Sequence, residues 1–326
     1  MTSIEVDELP FVSVIIPCYN EEEYVEGCLS ALLAQSYPQD CYEIILVDNG
    51  SSDKSVEISS KYPIRVVSKL GGKVGGVRNF GASLAKGGIL AFIDADCIAP
   101  ENWIKDSVHM LLMESSLGAV GGSYLSRDKP TWVERCWVLA SEPEDGPTSI
   151  LVGGSFIIKR NIFDEIGGFD EVINAGEDTK LAYQVASLGY SLRKLHGAAV
   201  VHMGYPQTLT DFFKRQFWHS SSLIHSKTSL FDDKTFIAVV VFSLLILMLP
   251  LSFFYSPALG GLNVILLVMI PLLFTCKRVN RAQVTFNASR LVGAFALDVN
   301  YFIAKACGLA TSLFSDPYKR KNSSTE

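Results

Sequence analysis

Two uncharged apolar runs, residues 236–255 and 257–276, leave this chain of 326 residues few options at its C-terminal end. Each is about the ~20 residues that cross the hydrocarbon core of a bilayer as a helix. Only Ser256 separates them, so residues 231–276 are expected to form a transmembrane helical hairpin. Lys277, Arg278 and Arg281 follow at once, and such basic flanks stay on the cytosolic side. A hairpin buried in a soluble core is the competing reading, which the absence of charge and the basic flank disfavour.

A third apolar stretch, 291–314, carries Asp298 and Lys305, seven apart and so on one helical face. Charges at bilayer depth are costly. The stretch also leads into Lys319, Arg320 and Lys321, which a third crossing would carry outside. Residues 277–314 are therefore expected to be a basic loop and an interfacial or re-entrant helix on the cytosolic face, and 315–326 a basic polar tail.

Upstream, behind an N-terminal tail at 1–10, short apolar runs alternate with helix-period stretches, the pattern of βαβ units around a mostly parallel sheet. Candidate strands are 12–16, 43–47, 64–67, 89–93 and 119–124. A first helix repeats Val25, Cys28, Leu29, Leu32 and Leu33 on one face, with Asn20 as its expected N-cap and Glu23 completing a capping box. Another lies near 77–86, stopping at Gly87 and Gly88. A third follows Pro100 with Trp103, Ile104, Val108, Leu111 and Leu112 turned inward. In such sheets ligands sit beyond the carboxyl ends of the strands. The loops there read PCYNEEE, DNGSSD and DADC.

A net charge of -6 argues against a nucleic-acid binder, whose affinity comes from Lys and Arg on phosphates. Seven scattered cysteines, odd in number and without a CxxC, fit a reducing compartment. The start, MTSIEVDELP, lacks the positive flank and apolar core of a secretory signal, so residues 11–230 are expected to stay in the cytosol.

Asp94-Ala95-Asp96 ends an apolar strand and projects two carboxylates to one side, which suits a hard cation bridging to a diphosphate. Alone, such a pair is also a common solvated turn. Glu177-Asp178 opens a helix with Leu181, Ala182, Val185 and Leu188 as its inner face, and carboxylates there also complement the helix dipole. His202 closes an apolar run, where a histidine is either a ligand or a satisfied structural residue. His196, His219 and His225 have weaker cases.

PCYNEEEYVEGCLSALLAQSYP, EIILVDNGSSDKS, GGVRNFGASLAKGGILAFIDADC and GGFDEVINAGEDTKLAYQVASLGY, in that order, resemble the family 2 glycosyltransferases of the GT-A fold. The resemblance covers about residues 11–203. It implies a nucleotide-diphospho-sugar transferase fold, Rossmann-like, in which Pro17, Tyr19 and the backbone near Glu22 line the nucleoside pocket and Asp48 meets the base. Arg78 would contact the base or neutralise the diphosphate, unless it is merely a solvated helix residue. Asp94 would lie near the ribose or metal, and Asp96 would ligate Mn2+ or Mg2+, with His202 completing the shell. Asp178, the second acid of the Glu177-Asp178 pair, would act as general base.

The resemblance thus implies an inverting, metal-dependent transfer of one sugar from a nucleotide diphosphate donor, UDP favoured, and the membrane hairpin beside it suggests a lipid-linked or surface-polysaccharide acceptor at the inner or plasma membrane. Arg215-Gln216-Phe217-Trp218 resembles the QxxRW of processive synthases, but in the wrong order, so single addition is expected. A nucleotidyltransferase on a related fold would need a basic, glycine-rich loop in place of PCYNEEE. A noncatalytic membrane scaffold would have no use for four convergent, mutually repelling carboxylates.

Overall fold

The computed structural model describes residues 9–139, 145–173, 175–220, 234–282 and 288–314; His225 and the basic run 319–321 lie outside them. The chain forms two compact units, one of Met1–Arg127 with Glu142–Gly204 and one of Asp128–Ser141 with Tyr205–Glu326. The division thus falls at Gly204, earlier than residue 230, and a short excursion around 128–141 belongs to the second unit.

The first unit begins as three strand-loop-helix repeats: β1 (Val12–Cys18), α1 (Val25–Leu33), β2 (Tyr42–Asp48), α2 (Ser55–Ser59), β3 (Arg65–Ser68) and α3 (Val74–Leu84). It continues with β4 (Ile89–Phe92), β5 (Cys97–Ile98), α4 (Trp103–Met113), β6 (Leu117–Gly121) and β7 (Tyr124–Leu125). After α5 (Trp132–Trp137) come β8 (Gly146–Thr148), β9 (Phe156–Lys159), α6 (Arg160–Ile166), α7 (Glu177–Ser187), β10 (Ser191–Lys194) and β11 (Val200–His202). The large sheet runs β3-β2-β1-β4-β9-β6-β10-β8, and a small one runs β5-β11-β7. β1 to β4 pair in parallel, as β6 does with β10; β9 enters antiparallel between β4 and β6.

The strands read as unbroken apolar runs because both faces of the sheet are covered. In β1, Val14 and Ile16 join Cys28, Leu29 and Trp103 in one core, while Ile15, between them, joins Phe92, Phe156 and Leu181 in another. The alternation follows the two-residue period of a strand.

Four local expectations need correction. Asn20 is not a helix cap: it sits at φ 57°, its side chain accepts the Ser52 N–H, and α1 begins at Val25 with no side-chain cap. Asn tolerates the left-handed region better than other residues with a Cβ. Leu112 and Leu188 are exposed, since each helix buries a narrower stripe than its apolar count suggests. Residues 119–124 are two strands, because the chain leaves the large sheet after Gly121 and enters the small one at Tyr124.

The second unit comprises α5, α8 (Leu209–Ser220), α9 (Lys234–Tyr255), α10 (Pro257–Ala282) and α11 (Ala288–Phe314). Thr131 caps α5 in a full capping box with Glu134. Among the described residues three helices are long and apolar enough to cross a membrane, Lys234–Tyr255, Pro257–Ala282 and Ala288–Thr311, one more than the expected hairpin. The charges that argued against the third are turned inward. Asp298 is fully buried, paired with Arg278 and accepting the Thr275 hydroxyl at 2.7 Å. Arg278 also donates to the Trp137 carbonyl at 2.8 Å and lies 4.4 Å over that indole. Lys305 is likewise buried, beside the Tyr301 ring.

Candidate active site

The loops after β1 and β2, where parallel sheets place ligands, are laced together. Asn20 and Glu21 donate their backbone N–H to Ser51 and Ser55, Glu22 N–H donates to Asp53, and the Glu22 carboxylate accepts the Lys54 N–H at 3.0 Å. Asp48 is buried at the end of β2 and accepts the N–H groups of Gly50 and Ser51 at 3.0 and 3.1 Å. Pro17 lies one residue before the end of β1, and Tyr19, just beyond it, is exposed. The expected nucleoside residues therefore line a braced pair of loops at one edge of the strand ends.

α3 lies tight on β1 and β2. A Cβ at Gly81 would come within 2.5 Å of Ile15 and 3.0 Å of Val47, so glycine there lets the helix approach. This approach buries Arg78, which is no solvated helix residue. Its Nη1 donates to Glu177 at 2.5 Å and its Nη2 to Asp94 at 2.6 Å, while the guanidinium lies 5.3 Å over the Phe169 ring. One cation thus joins the end of β4 to the start of α7, across 16 and 99 residues of sequence.

The two acids respond in opposite ways. Burial opposes the charge on Asp94, but Arg78 beside it outweighs burial, helped by His202 and the Tyr124 hydroxyl, and holds the carboxyl below its ordinary range. For Glu177, burial prevails over Arg78, and the neighbouring Asp178 adds repulsion, so its carboxyl lies above the ordinary range. Arg78, despite burial, is held more firmly protonated by Asp94, Glu177 and Asp178.

Asp178 is half-buried and accepts the Gly153 N–H at 2.9 Å and the Thr179 N–H at 2.6 Å. The Tyr124 hydroxyl donates to Asp94 at 3.1 Å and accepts the Gly154 N–H at 3.0 Å. Asp96 lies 3.4 Å from Nε2 of the buried His202, whose ring meets Tyr124 edge to face at 4.6 Å. Asp94, Asp96, Glu177, Asp178, Arg78 and His202 therefore belong to one connected set. His196 lies apart from it in a short turn, and His219 lies in α8 of the second unit.

Tyr124, Gly153 and Gly154 were not singled out from the sequence. A Cβ on Gly153 would come 2.6 Å from Arg78 Nη2, and one on Gly154 2.6 Å from the Tyr124 ring. The paired glycines ahead of the apolar strand at 156–159 were a usable signal of close backbone approach. Tyr124 offered none, since its partners depend on how the strands cross. Cysteines 18, 28 and 97 are buried thiols, and none of the seven is bridged.

Residues 13–167 match the family model described as glycosyl transferase family 2. Glycosyltransferase AglE of Haloferax volcanii is 29% identical over 221 residues, 64% of this chain and 71% of that protein. The uncharacterized glycosyltransferase EpsJ of Bacillus subtilis is 28% identical over 227 residues, and the match spans 64% of its length, less than two thirds. Among solved structures, the mannosyltransferase PcManGT from Pyrobaculum calidifontis, in complex with GDP-Man and Mn2+, shares the fold at a TM-score of 0.59. It is 17% identical, with 94% of this chain and 88% of that one covered.

Proposed function

Through residues 13–167 the chain belongs to glycosyl transferase family 2, and from that premise we propose that it moves a single sugar from a nucleotide diphosphate donor to a membrane-held acceptor, with inversion. The observation that carries this reading is Arg78, which draws the Asp94-Ala95-Asp96 and Glu177-Asp178 motifs onto one guanidinium. Donor-side and acceptor-side acids are thereby held in fixed relation, the positioning on which group transfer depends.

Asp96 and His202 supply an oxygen and a nitrogen donor, 3.4 Å apart and partly withdrawn from water, which fits a divalent cation such as Mn2+ or Mg2+. When bound, the cation would offset the charge growing on the departing diphosphate. The Pyrobaculum enzyme of the same fold, held with GDP-Man and Mn2+, lends support to a divalent cation and to a nucleotide-sugar donor.

Asp178 is the proton acceptor for the incoming hydroxyl. Glu177 is committed to Arg78, whereas Asp178 is the more accessible of the two and carries its charge on backbone amides. A base on one face and a leaving group on the other require one displacement and no protein nucleophile, and the anomeric centre inverts. Three long apolar helices next in the chain support an acceptor carried by a lipid, in the inner or plasma membrane, with the catalytic residues on the cytosolic side.

Asp96→Ala tests the donor site by calorimetry of nucleotide diphosphate binding with and without Mn2+. Metal-dependent affinity should vanish while the thermal transition stays in place, because Asp96 lies in a loop between β4 and β5. Unchanged affinity in Mn2+ would remove Asp96 from the site.

A further inference from the structure

β5 and β11 form a two-residue antiparallel ladder in which Val201 opposes Ile98 and His202 opposes Cys97. Residues directly opposite in such a ladder carry their side chains on one face, roughly 4.5–5.5 Å apart at Cβ. Cys97 is fully buried, with its Sγ 3.6 Å from Asp96 Oδ1, and His202 Nε2 lies 3.4 Å from Asp96 Oδ2. One ligand atom from each of Asp96, Cys97 and His202 lies within 4.8 Å of the other two. Donors on one ion, at about 2.0–2.3 Å from it, are separated by at most about 4.5 Å. Small side-chain rotations would therefore close these three on a common centre.

We propose that Cys97 is a third protein ligand of the metal site, giving it a carboxylate, thiolate and imidazole donor set. The proposal rests on the metal reading above and sharpens it. Mg2+ keeps to oxygen donors and near-ideal octahedra, whereas sulfur and imidazole favour the later first-row ions. The site consequently takes Co2+ and Zn2+ more tightly than Mn2+, and Mg2+ least tightly. As the sulfur-metal bond forms, the S–H bond breaks and its proton passes to solvent, so binding releases a proton. Zn2+ would compete with Mn2+ for the same residues.

A thiol packed in the core as a small apolar group is the alternative. Cys18 and Cys28 are also buried, yet neither belongs to a ligand-spaced group with Asp96 and His202.

The test is a Co2+ titration of the full chain in detergent, reading the near-ultraviolet sulfur-to-cobalt band and the visible cobalt bands together. Wild type should show both, and Cys97→Ser should lose the sulfur band while keeping visible bands and its thermal transition. Zn2+ affinity should fall by at least about tenfold, given that even outer-shell changes cost 10–100-fold. A sulfur band that persists in Cys97→Ser, or visible bands without a sulfur band in wild type, overturns the thiolate and leaves Asp96 and His202 standing. Wild type that takes neither Co2+ nor Mn2+ overturns the metal reading and this one together. Should the variant fail to fold, zinc-edge X-ray absorption of wild type decides without it. A sulfur neighbour at about 2.3 Å supports Cys97, and a shell of nitrogen and oxygen alone refutes it.

Discussion

Glu177 and Asp178 are adjacent in sequence and opposite in circumstance. Glu177 is buried against Arg78, and Asp178 is half-buried on the amides of Gly153 and Thr179. Asp178→Asn preserves shape and hydrogen bonding while removing the charge that accepts a proton. Donor affinity should survive, and turnover should fall by about 100-fold to 10,000-fold, the range for losing general acid-base assistance. Loss confined to the chemical step marks an interaction made in the transition state. Near-normal transfer by this variant, or a product of retained anomeric configuration by NMR, would reject the assignment. Both acid pairs could be read from the sequence because adjacent carboxylates at element ends stand out. Arg78 was legible as a cation near phosphate but not as a brace, since its partners come from β4 and α7 after the chain has crossed the sheet. Tyr124 was unreadable for the same reason.

Among the elements, the βαβ repeats were legible because strands covered on both faces must be apolar throughout, and the ends of β1 to β4 fell within a residue or two. Caps fared worse. Asn20 and Glu23 satisfied the capping-box spacing, yet the loop after β2 competes for Asn20, and the true box at Thr131 and Glu134 went unread. For α11, hydropathy counted Asp298 and Lys305 as costs, which packing removes. Arg278→Met would leave Asp298 buried without its partner, which should destabilise by about 3–5 kcal/mol. Adding Asp298→Asn should recover most of that loss. Thermal unfolding in detergent reads both, and a single variant as stable as wild type would show that the α10 and α11 pairing carries little.

For the molecule as a whole, the proposed orientation rests on the basic residues. Lys277, Arg278, Arg281 and Arg290 lie at or near the ends of α10 and α11, and basic flanks stay cytosolic. In sealed vesicles, cysteine at position 256 should react with an impermeant maleimide from outside, whereas cysteines at 277 and 319 should react only after the vesicles are opened. Outside labelling at 319 would make α11 a third crossing. The chain also passes between its two units three times, at 127–128, 141–142 and 204–205, and the excursion places α5 in the helical unit. Val133 and Cys136 of α5 pack there with Phe212, Ala294 and Leu297. A single cleavage after Gly204 would accordingly not part the two units: the severed piece would carry away α5 with its greasy side stripped bare, and a clean separation takes a cut at each of the three junctions.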